Sequence, residues 1–333
     1  MRAVRIEQPG VLQIVDLPKP EPAPGEALVA VAFSGICGSD LDIFTGQRPA
    51  DFVQYPVIPG HEWSGTIAAV GELVDPSLVG KKVAGEGFSS CQRCGPCERG
   101  DTVLCETRYD ETGFTRPGAW ADFLAIRAEQ LHLLDDAADL RAAACLEPAA
   151  CAADAVTRAA VLRGETVAVV GAGTVGALVV QFLRGLEPSE LTVMEPDERA
   201  ARMALECGAT ATCAPVSAAE LAGRFDVVIE TAGAASTAQA SLDLVRRGGR
   251  VVLVGIPEAG ERLGVASLVS KRVEIQTVFG APRIAWKAAV DAFTGGQLNL
   301  GILVTREFDL SEAGRALNLL QNSSSVGKIL LRP

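Results

Sequence analysis

Four cysteines fall within fifteen residues of this 333-residue chain, at Cys91, Cys94, Cys97 and Cys105. Thiolates at this spacing can converge on one tetrahedral metal ion, and four sulfur ligands leave no open position for a substrate. In a reducing compartment, such clustering favours a metal site over disulfides. The cluster therefore predicts a structural zinc site, and an iron–sulfur cluster is the alternative that four thiolates also allow.

A second group of possible metal ligands is dispersed along the chain. Cys37 lies in a Gly-Ile-Cys-Gly-Ser-Asp segment, His61 and Glu62 follow a glycine, and Glu147 precedes a proline. Each also has a structural interpretation, as a buried thiol, a turn histidine or an acid stabilised at a helix start. The chain has only two histidines, so His61 is one of few imidazoles that could bind a metal. Spacing alone leaves both interpretations open.

A glycine-rich motif lies between a predicted strand and a predicted helix. The apolar run 167–170 does not alternate, as expected for a strand buried on both faces, and Gly171, Gly173 and Gly176 follow it. These glycines would permit a tight turn, the approach of a pyrophosphate and close helix packing. Glu195, 24 residues after Gly171, is placed to bind an adenosine ribose. The motif predicts a dinucleotide site, whose turn also contains Thr174 and Val175.

A membrane-spanning helix is the alternative for the uncharged stretch 166–183. Three glycines within six residues, together with a polar threonine and glutamine, make this stretch a poor membrane span. We therefore favour the dinucleotide site.

The predicted elements indicate two kinds of scaffold for these residues. Short strands separated by glycine and proline, at 12–17, 26–33, 62–70, 81–85 and 121–126, favour a β-rich, barrel-like domain over residues 1–135. An alanine-rich helix is predicted over residues 139–162. Strands at 167–170, 191–194, 225–230, 250–255 and 273–279 then alternate with helices, as in a doubly wound sheet. The last fifty residues predict a helix at 284–293, a strand at 302–307, a helix capped by Ser311 and a strand at 326–331.

Composition excludes several classes of partner. The net charge is −11 and no lysine- and arginine-rich run occurs, which argues against nucleic acid and anionic membrane surfaces as partners. Hydrophobic residues make up 48% of the chain, and its length favours two globular domains. Residues 1–7 alternate like a strand and lack the apolar core of a signal peptide, so we expect a cytoplasmic protein.

The glycine motif, the cysteine cluster, Gly-His-Glu at 60–62 and Glu-Pro at 147–148 together resemble the zinc-containing medium-chain dehydrogenase/reductase family. The similarity extends along essentially the whole chain, including the segments 225–233 and 248–255 and the closing Gly-Lys at 327–328. Glu-Pro at the third metal position is similar to the sorbitol and threonine dehydrogenase branch. The resemblance implies an α/β protein with a GroES-like β-barrel catalytic domain (1–148 and 283–333) and a doubly wound Rossmann NAD-binding domain (149–282).

The resemblance also implies roles for individual residues. Cys37 and His61 would bind a catalytic zinc, and Glu62 and Glu147 would share the remaining protein position. The zinc would polarise the substrate oxygen while hydride passes to the nicotinamide, and Ser39 would relay the proton. NAD would contact a further set of residues, namely Arg199 beside Glu195, Thr231, Gly255, Ile256, Phe279 and Gly280. Phe44, Trp120 and Phe279 are predicted to line the substrate pocket.

One position departs from the family's pattern. The family usually has a histidine two residues beyond the aspartate of Cys-Gly-Ser-Asp, where it ends the proton relay. This chain has Asp42 there. The relay could end in this carboxylate or in water, or the histidine's role could have lapsed. We favour the interpretation that Asp42 is a solvated loop residue.

These features predict an NAD- and zinc-dependent dehydrogenase with one catalytic and one structural zinc per chain. Its small-molecule substrate would be a secondary alcohol of a polyol, sugar, cyclitol or amino alcohol, and the family resemblance favours a homodimer or homotetramer. Two alternatives share the fold: a non-catalytic NAD-binding protein and a zinc-free quinone or enone reductase. Loss of Cys37, His61 or Glu147 would indicate the non-catalytic NAD-binding protein. Absence of both groups of metal ligands would indicate the zinc-free reductase. All of these residues are present.

Overall fold

The structure is a computed structural model that describes residues 1–107, 109–215, 220–257, 262–322 and 326–333. The chain forms two compact units. Unit 1 comprises residues 1–147, 282–294 and 300–333, and unit 2 comprises residues 148–281 and 295–299. The prediction had placed 295–299 in the catalytic domain. This segment belongs to unit 2 because the Gln181 side chain bonds both the N–H (2.7 Å) and the carbonyl (3.3 Å) of Asn299.

Strands make up much of both units. They are β1 (Arg2–Gln8), β2 (Val11–Asp16), β3 (Glu26–Ile36), β4 (Trp63–Val70), β5 (Lys82–Gly85), β6 (Phe123–Arg127), β7 (Leu131–Leu133), β8 (Thr166–Val170), β9 (Glu190–Met194), β10 (Ala211–Cys213), β11 (Phe225–Glu230), β12 (Val245–Leu253), β13 (Glu274–Thr277), β14 (Val304–Asp309) and β15 (Lys328–Arg332).

The helices are α1 (Gly38–Thr45), α2 (Gly95–Glu98), α3 (Leu140–Ala143), α4 (Leu146–Ala159), α5 (Thr174–Arg184), α6 (Glu198–Cys207), α7 (Thr237–Leu244), α8 (Val265–Lys271), α9 (Arg283–Thr294) and α10 (Ala313–Gln321). Among the described residues, no helix is both long and apolar enough to cross a bilayer.

Unit 1 is organised by a seven-stranded sheet. Its order is β14-β15-β3-β4-β5-β7, and β6 also pairs with β3. The inner strands bury aliphatic and aromatic side chains, such as Trp63, Ile67 and Leu124, because alternate residues of a strand face the core. The central strand β3 lies antiparallel to both β4 and β15. The C-terminal end of β3 therefore lies beside the N-terminal ends of β4 and β15, and Cys37 immediately follows β3 at this place.

Unit 2 is a parallel sheet with the strand order β10-β9-β8-β11-β12-β13. Numbered within this unit, the order is 3-2-1-4-5-6, the doubly wound arrangement that binds dinucleotides where the strand order reverses. Four of the five β8 residues are fully buried, which explains the apolar run without alternation. The predicted fold class is confirmed in both units.

Two predicted helices differ from the structure. The alanine-rich stretch forms α3 and α4 with a break at 144–145, because Pro148 has no N–H to continue a helix and is tolerated only in a first turn. Ser311 does not cap α10. It lies in a short 3₁₀ turn, Leu310–Glu312, that Asp309 caps, and α10 begins at Ala313 with Glu312 as its N-cap.

Candidate active site and coenzyme-binding residues

Cys37, His61 and Glu62 converge in unit 1. Cys37 follows β3 and is the N-cap of α1, whereas His61 and Glu62 immediately precede β4. Because β3 and β4 pair up to Ser34 and Trp63, the residues beyond these ends are neighbours. One ligand atom of each of the three residues lies within 4.8 Å of the others. The structure therefore joins residues that are 24 positions apart.

The Asp40 carboxylate contacts both Cys37 and His61 and thereby orients these two possible ligands. Its Oδ2 accepts the Cys37 backbone N–H at 2.8 Å, and its Oδ1 lies 3.6 Å from His61 Nδ1. Burial opposes a charge on His61, but the fully buried Asp40 outweighs this effect and raises the pKa of the imidazole. The sequence analysis missed this residue, although an acid three positions after an N-cap is the spacing of a capping box.

Glu62 is held by a buried lysine from the other end of the chain. Lys328 Nζ lies 2.6 Å from Glu62 Oε1 and also bonds the Ile36 carbonyl at 3.3 Å. Burial opposes the lysine charge, but the adjacent Glu62 carboxylate raises the Lys328 pKa above its usual range. The other oxygen, Oε2, faces Gly35, where a Cβ would lie only 2.1 Å away. A glycine is needed at that position because any side chain would displace Glu62.

The donor set fits a metal ion. His61 Nδ1, Glu62 Oε2 and Asp40 Oδ1 are buried and lack a hydrogen-bond partner within the part of the chain that the structure describes. Unsatisfied buried polar atoms are costly, and a cation would compensate the two carboxylate oxygens. A thiol, an imidazole and a carboxylate are all zinc ligands, and three protein ligands would leave one position open.

Two other predicted catalytic residues lie outside this triplet. Glu147 is in the first turn of α4, and its carboxylate acts electrostatically on Glu111, but it does not belong to the group of ligand atoms that converge within 4.8 Å. Ser39 is half-buried in the first turn of α1, two residues after Cys37. Among the described residues, Glu62 therefore supplies the one carboxylate in this group of converging ligand atoms.

Two further predictions in unit 1 are wrong. Asp42 is not a solvated loop residue, because it lies half-buried in α1, where burial raises its pKa against the opposing charge of Arg48. Trp120 does not line a pocket, because it is fully buried in the core and donates its indole N–H to the Gly35 carbonyl at 3.3 Å. Phe44 is partly buried against the same core.

The four clustered cysteines also converge, around α2. The ligand atoms of Cys91, Cys94, Cys97 and Cys105 lie within 4.8 Å of one another. The sulfurs of Cys94 and Cys97 are 3.3 Å apart and those of Cys91 and Cys97 are 4.0 Å apart. Tetrahedral zinc with Zn–S bonds near 2.3 Å places its sulfurs about 3.8 Å apart, so the cluster fits zinc.

The glycine motif of unit 2 lies between β8 and α5. Gly171 has φ +96°, and Gly173 is the N-cap of α5 without a side-chain cap, so the first N–H groups of the helix are left for a ligand. A Cβ on Gly176 would lie 2.1 Å from the Gly171 carbonyl, whereas one on Gly173 would meet nothing within 4 Å. The third glycine therefore permits close packing, and the second leaves space at the helix start. Thr174 and Val175 form the first turn of α5.

The Glu195 carboxylate lies beside this glycine motif, whereas the Arg199 side chain forms an ion pair with Asp197. One Glu195 oxygen accepts the Ala172 N–H at 2.7 Å and the other accepts the Asp197 N–H at 2.9 Å. Each oxygen has a further acceptor site, so the carboxylate can still bind a ribose hydroxyl. The Arg199 guanidinium forms a bidentate contact with the Asp197 carboxylate, with N–O distances of 2.7 and 3.2 Å.

The other predicted coenzyme residues follow β11, β12 and β13. The Thr231 hydroxyl donates to the carbonyls of Val170 and Gly171, at 3.0 and 3.1 Å. The sequence analysis missed the buried Glu230, which accepts the N–H groups of Ala232 and Gly233. Three predicted residues lie beyond the next two strands, namely Gly255, Ile256 (66% exposed) and Phe279 (41% exposed).

Comparison with known proteins agrees with the fold of both units. Residues 23–136 match the alcohol dehydrogenase GroES-like domain, and residues 174–295 match the zinc-binding dehydrogenase domain. A sorbitol dehydrogenase of Halalkalibacterium halodurans is 30% identical over 346 aligned positions, covering 100% of this chain and 99% of that protein. An L-threonine 3-dehydrogenase of Aeromonas hydrophila is 27% identical, with 96% and 95% covered.

A solved structure from Sinorhizobium meliloti 1021, with NADP bound, superimposes with a TM-score of 0.92 at 30% identity. The alignment covers 100% of this chain and 99% of that one. Full-length similarity at this level, together with two matched domains and two convergent groups of metal ligands, establishes the family. The chain belongs to the zinc-containing medium-chain dehydrogenase/reductase family.

Proposed function

We propose that this protein is a zinc- and NAD-dependent dehydrogenase that oxidises a secondary alcohol of a polyol, sugar, cyclitol or amino alcohol, or reduces the corresponding ketone. The observation that carries the proposal is the convergence of Cys37, His61 and Glu62, where His61 Nδ1 and Glu62 Oε2 are buried and have no hydrogen-bond partner among the described residues. The sorbitol and threonine dehydrogenases among its relatives support this substrate class. The substrate would be a small molecule, and a cytoplasmic homodimer or homotetramer is part of the same proposal.

Two zinc sites per chain are proposed. Cys37, His61 and Glu62 would hold the catalytic ion directly, and Glu147, outside the group of atoms within 4.8 Å, would share the remaining position through water or on substrate exchange. Bound zinc supplies Lewis-acid polarisation of a substrate oxygen. Asp40 would orient the Cys37 and His61 ligands, and Lys328 would hold Glu62 in place. The four cysteines Cys91, Cys94, Cys97 and Cys105 would hold the structural ion.

Residues of unit 2 would bind the coenzyme, which supplies the hydride acceptor. The N–H groups at the start of α5, beginning at Gly173, would bind the pyrophosphate. Glu195 would accept the ribose hydroxyls, and Thr231 and Glu230 would fix the backbone beside them. The remaining proposed contacts are Thr174, Val175, Gly176, Arg199, Gly255, Ile256, Phe279 and Gly280.

Ser39 would exchange a proton with the substrate oxygen. Its position two residues after Cys37, in the first turn of α1, supports this role. A hydroxyl can both donate and accept, so Ser39 would accept the proton that leaves the alcohol while passing its own proton onward toward solvent, as hydride is lost from carbon.

A substrate screen combined with metal analysis tests the proposal. The purified protein should contain two zinc ions per chain and should reduce NAD with at least one secondary alcohol in a panel of polyols, cyclitols, sugars and amino alcohols. The absorbance of NADH reports turnover. One zinc per chain and no turnover with any panel member would instead support a non-catalytic NAD-binding protein. Absence of zinc together with enone reduction would support a reductase.

We expect Asp42→Asn to lower kcat for alcohol oxidation by less than about tenfold at pH 7, well short of the roughly 10²–10⁴-fold typical of losing a positioned acid or base. Burial raises the pKa of Asp42, but Arg48 opposes the rise, so this carboxylate is a weaker proton acceptor than a histidine. Ser39→Ala should cost far more because it removes the hydroxyl that is proposed to exchange a proton with the substrate oxygen. The measurement is the pH–rate profile of both variants with a solvent isotope effect. A large loss in Asp42→Asn that high pH restores would identify Asp42 as a relay residue.

We expect NAD to be preferred over NADP by at least about tenfold in kcat/KM, or about 1.4 kcal/mol. The Glu195 carboxylate is fixed by two backbone N–H groups, so a 2′-phosphate would meet like charge there. Glu195→Gln should reduce the preference. Glu198→Gln, which changes an exposed acid in the first turn of α6, is the matched control and should not. Equal use of both coenzymes by the unaltered protein would contradict this assignment, and the NADP-bound relative makes the comparison necessary.

A further inference from the structure

A buried arginine lies near the proposed catalytic centre without a full set of partners. Arg48 follows α1 by three residues, and its backbone N–H bonds the Asp42 carbonyl at 3.2 Å. The Arg48 side chain is only 10% exposed. Its Nε is buried and has no hydrogen-bond partner among the described residues. A buried guanidinium donor without an acceptor is costly, which points to a ligand that supplies one.

Aromatic rings hold this guanidinium in place. It lies over the Phe114 ring, 4.5 Å from the centroid, and 5.6 Å from the Phe52 centroid. Its Nη2 donates a hydrogen bond to the Tyr109 hydroxyl at 3.0 Å. Phe114 in turn contacts the His61 ring at 4.9 Å. Phe114 therefore contacts both the guanidinium and a proposed zinc ligand, which places Arg48 in the same part of unit 1 as the proposed catalytic centre.

The charge of Arg48 is poorly compensated by the protein. Within the described residues, Glu111 has the one carboxylate oxygen within 4.0 Å of the guanidinium, and its 3.9 Å distance is too long for a hydrogen bond. That same oxygen accepts the Tyr109 hydroxyl. Burial raises the pKa of Glu111 to about 8, which weakens the compensation that this carboxyl gives to the Arg48 charge. Asp42 acts on Arg48 only at longer range.

We propose that Arg48 binds a negatively charged group, a carboxylate or a phosphate, that the substrate bears beyond its reacting carbon. The inference rests on the proposed function and narrows its substrate class to anionic polyhydroxy compounds. The planar guanidinium can present Nε and one Nη to two oxygens of such a group. The unpartnered Nε would then be satisfied and the buried charge neutralised. Tyr109 and Glu111 would position the guanidinium without touching the anion.

Matched substrates test this inference. A panel pairs each alditol with the aldonate and the alditol phosphate of the same configuration, so that members of a set share their secondary alcohols and differ at one terminal group, which is neutral, carboxylate or phosphate. We expect an anionic member to have the highest kcat/KM. Arg48→Gln should reduce the ratio of anionic to neutral kcat/KM by about 10- to 100-fold, the effect of one charge-assisted hydrogen-bond pair. The aldonates and the phosphates distinguish the two possible anions.

The control variant is Arg315→Gln. Arg315 also lies over an aromatic ring, 5.6 Å from the Phe308 centroid, but its side chain is 73% exposed. The Arg315→Gln variant should leave the ratio of anionic to neutral kcat/KM unchanged. If Arg48 merely packs against Phe114, Arg48→Gln would reduce kcat/KM equally for charged and neutral substrates, and the inference would be wrong. A neutral alditol as the best substrate would also overturn it.

Calorimetric titration of the same compounds, without coenzyme, separates the two proposals. If no panel member is oxidised, yet aldonates or phosphates bind the unaltered protein and not Arg48→Gln, the proposed function fails and the anion site stands. If alcohols are oxidised but anions bind both proteins equally, the anion site fails and the proposed function stands. If nothing binds and no panel member is oxidised, both fail.

Discussion

Replacing Cys37 or His61 with alanine should lower kcat by at least about 10³-fold, or about 4 kcal/mol, and Cys37→Ala should leave the thermal unfolding midpoint within a few degrees. Both residues belong to a triplet with an open coordination position, so the catalytic ion that they would hold is not required to fold the unit. Cys94→Ala should show the opposite pattern, with a loss of thermal stability and not of kcat. It removes one of four thiolates in a closed site, and the midpoint should fall by about 10 °C, which corresponds to about 3 kcal/mol or more.

Activity, metal content and thermal unfolding of each variant are measured together. Cys213→Ala, which removes a half-buried cysteine outside both metal groups, is the control and should change none of the three. A stable, inactive Cys94→Ala alongside an unfolded Cys37→Ala would reverse the assignment of structural and catalytic sites. Treatment with a chelator should reproduce both effects, with loss of activity preceding loss of structure.

Lys328→Met should destabilise the zinc-free protein by about 3–5 kcal/mol. The substitution keeps the length of the side chain and removes the charge that compensates Glu62, which is 1% exposed and 2.6 Å from Lys328 Nζ. Removing one partner of a buried ion pair leaves the other charge unpaired, and this penalty exceeds the usual contribution of a pair. The free energy of unfolding from a denaturant titration gives the measurement.

Arg332→Met is the matched control on the same strand. Arg332 pairs with Asp309 at 3.0 Å, but both side chains are 60% exposed, so the loss should be below about 1 kcal/mol. The double variant Glu62→Gln with Lys328→Met should recover part of the stability lost in Lys328→Met, because no unpaired charge is left. Equal losses in Lys328→Met and Arg332→Met would show that Glu62 is compensated by another group.

Features that depend on near neighbours in the chain were predictable from the amino-acid sequence. The uncharged run of β8 predicted a strand buried on both faces, and Gly171, Gly173 and Gly176 predicted the turn and helix that follow it. The cysteine cluster was predictable because its members are at most eight residues from the next, so the local chain brings the sulfurs together. The doubly wound order also followed from alternating strands and helices, since such crossovers have few allowed topologies. The Cys37, His61 and Glu147 roles, by contrast, came only from resemblance.

Only the tertiary structure decided which distant residues share a site. Glu62 meets Lys328 across 266 positions because β15 pairs with β3, and Arg48 meets Tyr109 across 61 positions. Periodicity predicts which face of an element is buried, but strand register and loop path decide which side chain lies opposite another. The same limit explains why Trp120 was assigned to a pocket and is in the core, and why Asp42 was assigned to solvent and is half-buried. Burial depends on the whole fold, and charge compensation depends on burial, so the unpartnered Nε of Arg48 could be found only in three dimensions.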